Sequence, residues 1–398
     1  MSTRHHESPA QALQPPASPG QPVAHGHRAG GHARHHRPST PSRDPLFDNA
    51  KFLLVTLVVI GHSWTLLPDV STSSPVYTFL YAWHVPAFVL VTGYLSRKFT
   101  FTRRNLMKVL TTIVVPYFVF ESLLALFRIT VGGESFGPLY LSPHWPMWYL
   151  TALFLWRMAT PLLNKVPHPM VLAVAISLVG GANTLDWLDL PRTMGLLPFF
   201  VAGLTLRREH FERLAHPRVR ATAAVLLACA FVAAVFVGPH ISKELLYWRT
   251  GYPDLGLPFW LGMLCRGALL VVAGVLVLSA LSLIPTSQRW FTRLGSASLV
   301  VYLFHGFAVK GAEYAGIGGA SQQDPVTAFL LVTGGAVALS LLLSATPVSR
   351  RLNRLVDPIS TLTEAVPALV PGQVPPEHHR RIVDRRVALS HRDPTRLQ

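Results

Sequence analysis

Residues 48–64 read DNAKFLLVTLVVIGHSW, an apolar run with a cation near one end and a histidine near the other. Extended to Leu46–Leu67, the run has the length of about 20 residues that crosses a bilayer as a helix. Lys51 and His62 are both expensive in hydrocarbon, so each needs an explanation. Eleven steps of about 100° make roughly three turns plus 20°, which puts the two side chains on one helix face, about 16 Å apart along the axis. Lys51 alone would read as a side chain snorkelling to the headgroups. His62 alone would read as a packing residue. Sharing a face, they read as two points along one channel.

Runs of the same kind recur through the 398 residues, of which 50% are hydrophobic and only 14% charged. Soluble domains carry about 25% charged residues. About ten helices are predicted at bilayer length or slightly below it. They are Leu46–Leu67, Val76–Leu95, Leu106–Arg128, Pro146–Leu163, Pro169–Asn183, Met194–Leu206, Val219–Val237, Leu257–Ala280, Leu294–Lys310 and Val326–Ala345. The fold class expected is an all-α integral membrane protein, multi-pass in the cell membrane. The only two cysteines, Cys229 and Cys265, lie inside such runs, which argues against a disulfide framework or a cysteine metal cluster.

The formal net charge of +16 is unevenly spread. SRKFTFTRRNLMK, RREHFERLAHPRVR, SQRWFTR and SRRLNR follow the second, sixth, eighth and tenth predicted helices. The loops between them, such as PDVSTSSP and GIGGASQQDP, have almost no Lys or Arg. This alternation follows the positive-inside rule and predicts that both termini are cytoplasmic. Cations that border apolar segments, rather than forming a face on a soluble domain, speak against nucleic acid as a partner. Residues 1–45 are rich in Pro, Ser, Gly and His and read as a disordered cytoplasmic tail, without regular metal-ligand spacing. No apolar stretch precedes residue 46, so the first helix is expected to act as the insertion signal. The membrane domain is expected over 46–350, followed by a basic cytoplasmic tail at 351–398.

Further ionisable residues reach the depth of His62. His84 lies in the second predicted helix, Glu121 in the third and His305 in the ninth, each about 8–12 Å below the outer surface by helical rise. Four titratable groups at one level imply a polar cavity in the outer leaflet, with Arg266 as a further candidate. Neutral imidazole suits general-base chemistry on a hydroxyl, and Glu121 is a candidate to orient the ring. At the cytoplasmic end Lys51, Arg97, Lys98, Arg103, Arg104 and Lys108 could hold phosphates. Orientation and anionic lipid account for most of these cations. The layout suits a phosphorylated carrier with a long thin arm, such as an acyl-coenzyme A.

The pieces RDPLFDNAKFLLVTLVVIGHSW, YAWHVPAFVLVTGYLSRK, PMWYLTALFLWR, LPFFVAGLTLR and GSASLVVYLFHGF occur in order over roughly residues 43–350. In these the chain resembles the acyltransferase-3 family of integral membrane O-acyltransferases, and within it the fucose 4-O-acetylase-like branch. The first piece is the most specific, with a basic residue, ten residues and then histidine. The resemblance implies transfer of an acyl group, usually acetyl from acetyl-CoA, to a hydroxyl of a sugar or glycan on the far side of the membrane. It implies no tightly bound cofactor and no metal. His62 corresponds to the catalytic histidine and Lys51 to its basic partner. The family's Arg-x-x-Arg motif has its nearest counterpart in Arg104 with Lys108, one residue wider. Members often append an extracytoplasmic esterase-like domain; here the membrane domain is expected to complete the transfer, directly and without a covalent serine intermediate. His84, Trp148 or His305 could donate to the developing oxyanion. The readings from other classes are a proton-coupled transporter, in which His and Glu form a relay, and a non-catalytic partner in envelope-polysaccharide assembly.

Overall fold

Asp44 and Pro45 set the start of the first helix, α1 (Pro45–Ser63), in the computed structural model. The Asp44 carboxylate accepts from the Leu46 amide at 3.1 Å, and Pro45 occupies the first helical turn, where its missing N–H costs nothing. The structure describes residues 44–135, 138–183, 187–318 and 324–356. The tails expected at 1–45 and 351–398 therefore fall outside it, apart from Asp44, Pro45 and residues 351–356.

Among the described residues all regular structure is helical. After α1 come α2 (Pro75–Tyr81), α3 (His84–Ser96), α4 (Arg103–Gly132), α5 (Trp148–Leu163) and α6 (Pro169–Gly180). Then follow α7 (Leu190–Thr205), α8 (Pro217–Val237), α9 (Phe259–Leu283), α10 (Ser298–Tyr314), α11 (Pro325–Ser344) and α12 (Thr346–Val356), and short helices at Pro68–Ser73, Arg208–Leu214 and Lys243–Leu246 lie between the numbered ones. Each predicted apolar run contains a helix. The second is broken between α2 and α3, where Trp83 leaves helical geometry at φ −141°. The His84 ring spans the break, its Nδ1 donating to the Leu80 carbonyl at 2.7 Å. α4 carries a π-turn over Leu110–Val114, just before Pro116, whose missing N–H loosens the ladder there.

Among the described residues seven segments are long and apolar enough to cross a membrane. Of the ten predicted spans, those that fall short are α5, α6 and α7, with 16, 12 and 16 residues. At 1.5 Å per residue they reach about 24, 18 and 24 Å, less than a hydrocarbon core of about 30 Å. The predicted bounds Pro169–Asn183 and Met194–Leu206 already imply the shortfall of α6 and α7, whereas Pro146–Leu163 does not imply that of α5. α7 is nevertheless deeply interior. A Cβ on Gly93 would stand 2.1 Å from the Phe200 carbonyl oxygen, and one on Gly203 2.1 Å from that of Leu90. The backbones of α3 and α7 thus touch directly, which only glycine permits.

Burial ranks the helices. The membrane-length window of α1 is 72% buried, against 17% for those of α8 and α11. α1 is the central helix, and α8, α9 and α11 turn large side chains such as Val271, Phe236 and Leu331 outward. Polar contacts tie the helix ends into two groups. At one end Asn49 donates to the carbonyls of Pro285 and Ser287 at 2.8 and 3.0 Å and accepts from Thr292 at 2.7 Å. Asn164 there donates to the Arg97 carbonyl at 3.2 Å. At the other end the Leu188 amide donates to the Leu141 carbonyl and the Tyr252 amide to that of Gly181. The second end also holds Glu134, bonded to Arg128 and Tyr314 and 3.7 Å from Lys310. The Arg128 hydrogen bond holds the Glu134 carboxyl down at about 2.

Candidate active site

His62 lies in the last turn of α1, with its Nδ1 2.8 Å from Nε2 of His305 on α10. The other ring nitrogen of His305, Nδ1, lies 2.6 Å from the Tyr302 carbonyl oxygen and 3.2 Å from that of Val301. A carbonyl only accepts, so in the neutral ring His305 Nδ1 carries the hydrogen and Nε2 is a lone pair. His62 Nδ1 must then be the donor between the rings. His62 Nε2 is left as the basic nitrogen, a tautomer assigned from the network. The order is carbonyl, His305, His62, free lone pair.

Three cavities meet along the face of α1 that holds both sequence-marked residues. The inner one, about 210 Å³, is lined by Lys51, Thr92, Tyr149, Arg157 and Tyr302 among others. The outer one, about 140 Å³, is walled by His62, Tyr81, Trp145, Trp148, Arg192 and Trp248 among others. Between them is a neck of about 30 Å³ that shares Phe88, Tyr149 and Tyr302 with the inner cavity and His62, Val85 and Trp148 with the outer. Lys51, Val55, Val58 and His62 follow one another at helical spacing and line this series from end to end.

The outer cavity is an aromatic cup with few charges. Arg192 is held by Asp189 at 3.0 Å, donates to the Tyr247 carbonyl at 2.9 Å and lies over the Trp148 ring at 4.5 Å. The indole N–H of Trp248 is buried without a partner, and this residue has a φ of +61°. The Tyr247 hydroxyl, 2.7 Å from that of Tyr77, is pushed up in pKa by burial. At the inner cavity Thr92 donates to the Phe88 carbonyl at 2.9 Å and so accepts from Tyr149 at 2.5 Å.

The other sequence-marked residues fall differently. Glu121 is fully buried but does not orient His62. Both its oxygens accept from the His144 backbone amide, at 3.0 and 3.2 Å, and Oε1 lies 2.5 Å from His144 Nδ1. Glu121 thereby fixes the segment that lays Trp145 on the His62 ring at 4.3 Å between centroids. His84 is fully buried against the edge of Tyr81, with Nε2 unpartnered, and lines none of the three cavities. Arg266 lies away from His62, donating to the Ser177 carbonyl at 3.2 Å. Lys51 pairs with Asp48 at 2.6 Å. Arg104 and Lys108 are exposed and do not line the inner cavity, where Arg157 is the second cation.

Arg157, Arg192 and His144 went unmarked in the sequence. Arg157, in LFLWRMA, carried the signal of a charge inside an apolar helix. A Gly-x-Ser-x-Gly pattern at 133–137, GESFG, also went unmarked. The nucleophile elbow needs a strand-to-helix turn. Gly133 instead caps the end of α4 and Ser135 is exposed, so the described part does not form one. A His-x-x-x-x-Asp pattern at His379 and Asp384 lies outside the described residues. Among the described residues no three metal-ligating side chains converge.

A bundle of helices, with seven segments among the described residues long and apolar enough to cross a membrane and a hydrogen-bonded pair of imidazoles beside a row of cavities, defines the class as a membrane protein. Residues 45–345 match the acyltransferase-3 family model, an acyltransferase domain, and the chain belongs to that family. It is 26% identical over 211 residues to nodulation protein NolL of Sinorhizobium fredii, covering 49% of this chain and 57% of that protein. It is 42% identical over 74 residues to nodulation protein NolL of Mesorhizobium japonicum, covering 17% of this chain and 20% of that one. The chain thus spans little more than half the length of the first of these relatives and a fifth of the second. No solved structure matches it.

Proposed function

We propose that this acyltransferase moves an acetyl group from acetyl-CoA to a hydroxyl of a sugar or cell-envelope glycan, free or lipid-linked, with His62 as general base. The observation that carries the reading is the row of three cavities along α1, with Lys51 on the first and His62 on the second and third. Acetyl-CoA is the donor substrate, with no tightly bound cofactor. Its phosphates lie toward Lys51 and Arg157, with Arg104 and Lys108 on the approach, and its arm points up the inner cavity. The acceptor occupies the outer cavity. His62 Nε2 removes the hydroxyl proton as oxygen attacks the thioester carbonyl. The new C–O bond forms, the C–S bond breaks, and the proton passes from His62 to the departing thiolate. The products are the O-acetyl ester and free coenzyme A.

In the membrane the chain makes ten passes, with α7 and most of α5 sheltered inside the bundle, and the ends of the 46–350 domain face the cytoplasm. Short helices are tolerated where protein, not lipid, surrounds them; α6 instead turns Val171, Leu172 and Val179 outward. A single cysteine at Ser135 is expected to react with an impermeant reagent applied to intact cells, and one at Ser287 is not. Labelling at Ser287 would reverse the orientation or change the count.

The His62–His305 pair would also serve a proton-coupled transporter, and the fold alone would serve an assembly partner. Coenzyme A separates these readings from the first. In detergent, a hundredfold excess over its dissociation constant is expected to stabilise the protein by about 2.7 kcal/mol, read as a thermal shift. No shift at millimolar coenzyme A would remove the donor from the proposal.

A further inference from the structure

The neck between the inner and outer cavities has a volume of about 30 Å³, against about 210 and 140 Å³ on either side. Its apolar wall includes Val55 and Val58 from α1 and Val85 and Phe88 from α3, with Pro146 and Trp148 beside them. Val55 is fully buried and Val58 nearly so, and Tyr149 and Tyr302 close the lower side. Valine branches at Cβ and is stiff at χ1, so these walls do not retract by a rotamer change as Leu or Met would. By volume the inner cavity offers about seven times the room of the neck.

We propose that Val58 and Val85 form a size sieve that restricts the transferred group to acetyl. This rests on the reading above, in which the thioester approaches His62 from the Lys51 side. The coenzyme A portion stays in the inner cavity, so donors of different acyl length bind with similar affinity. They differ in whether the carbonyl carbon reaches His62. Each methylene beyond acetyl must be packed into a site already filled by branched side chains. One methylene in an apolar pocket is worth about 10–200-fold in discrimination.

The test uses the full chain in lipid nanodiscs with acetyl-, propionyl- and butyryl-CoA, a panel of methyl glycosides as acceptors, and thiol release as readout. Wild type is expected to turn over acetyl-CoA at least about tenfold faster than propionyl-CoA, and butyryl-CoA more slowly again, at similar KM. Val58→Ala and Val85→Ala, made separately, are each expected to raise the propionyl-to-acetyl ratio by about tenfold or more. The readout is a ratio, so partial loss of folded protein cancels. Because the substitutions lie on different helices, failure of one to fold leaves the other and the wild-type profile to decide. Equal use of acetyl and butyryl donors by wild type would overturn the sieve and leave the acyltransferase reading standing. An unchanged ratio in both variants would do the same. No thiol release from any donor would overturn the reading and the sieve with it.

Discussion

His62→Gln is expected to lower turnover by about 10²–10⁴-fold, the usual contribution of a general base. Glutamine keeps polarity and approximate size, and its side-chain amide can still donate toward His305 Nε2, so packing around Trp145 survives. It cannot take a proton from the acceptor hydroxyl. Coenzyme A affinity is expected to hold, because the Lys51 end of the cavity series is untouched. The pH profile gives a second readout. Protonation of His62 removes the lone pair on Nε2, so the wild-type rate falls on acidification, and the residual rate of His62→Gln loses that limb. Single-turnover transfer with correctly folded protein measures both. Near-wild-type activity would remove His62 from the chemistry and leave α1 with a packing histidine.

The second large effect is expected at His305, which acts through His62. Its Nε2 is the acceptor that holds the His62 proton on Nδ1, 2.8 Å away. His305→Leu removes that acceptor, and the proton can move to Nε2, the position that must be basic. The expected loss of turnover lies between about 10- and about 10⁴-fold, the upper figure being the cost of a wrong tautomer in a hydrolase triad. His305→Gln restores an acceptor oxygen and is expected to recover much of the rate. A merely structural role would make both variants unstable, whereas a positioning role separates them in turnover at unchanged donor KM. Equal, near-wild-type turnover of the two would dissolve the relay.

Helical period made part of this site legible in the sequence. Lys51 and His62 fall on one face because eleven residues nearly close three turns, and that face lines the cavities. His305 was readable as lying at the depth of His62. Its contact with His62 was not, because pairing between distant helices is decided by packing. Glu121 shows the limit more sharply. Its depth was legible, but its partner His144 sits in the loop before α5, where no period assigns depth, so the carboxylate was matched with the wrong imidazole. The break at Trp83 does not interrupt the hydrophobic length of the run from Val76 to Leu95, and only His84 and Pro86 within it hint at a change there. Arg157 could be read as a buried cation. The resemblance to the family's Arg-x-x-Arg motif points instead to Arg104 and Lys108, which lie outside the inner cavity.

Sided transfer tests the central claim most directly. The chain is reconstituted in sealed liposomes, with orientation set by the reactivity of a cysteine at Ser135. Acetyl-CoA labelled in the acetyl group is supplied on the Lys51 side and methyl glycosides on the His62 side. Expected is labelled O-acetyl ester on the glycoside side and free coenzyme A thiol on the donor side, both lost in His62→Gln. Ester formed only when donor and acceptor share one side would contradict the passage through the neck, and with it the place given to His62 between two reactants.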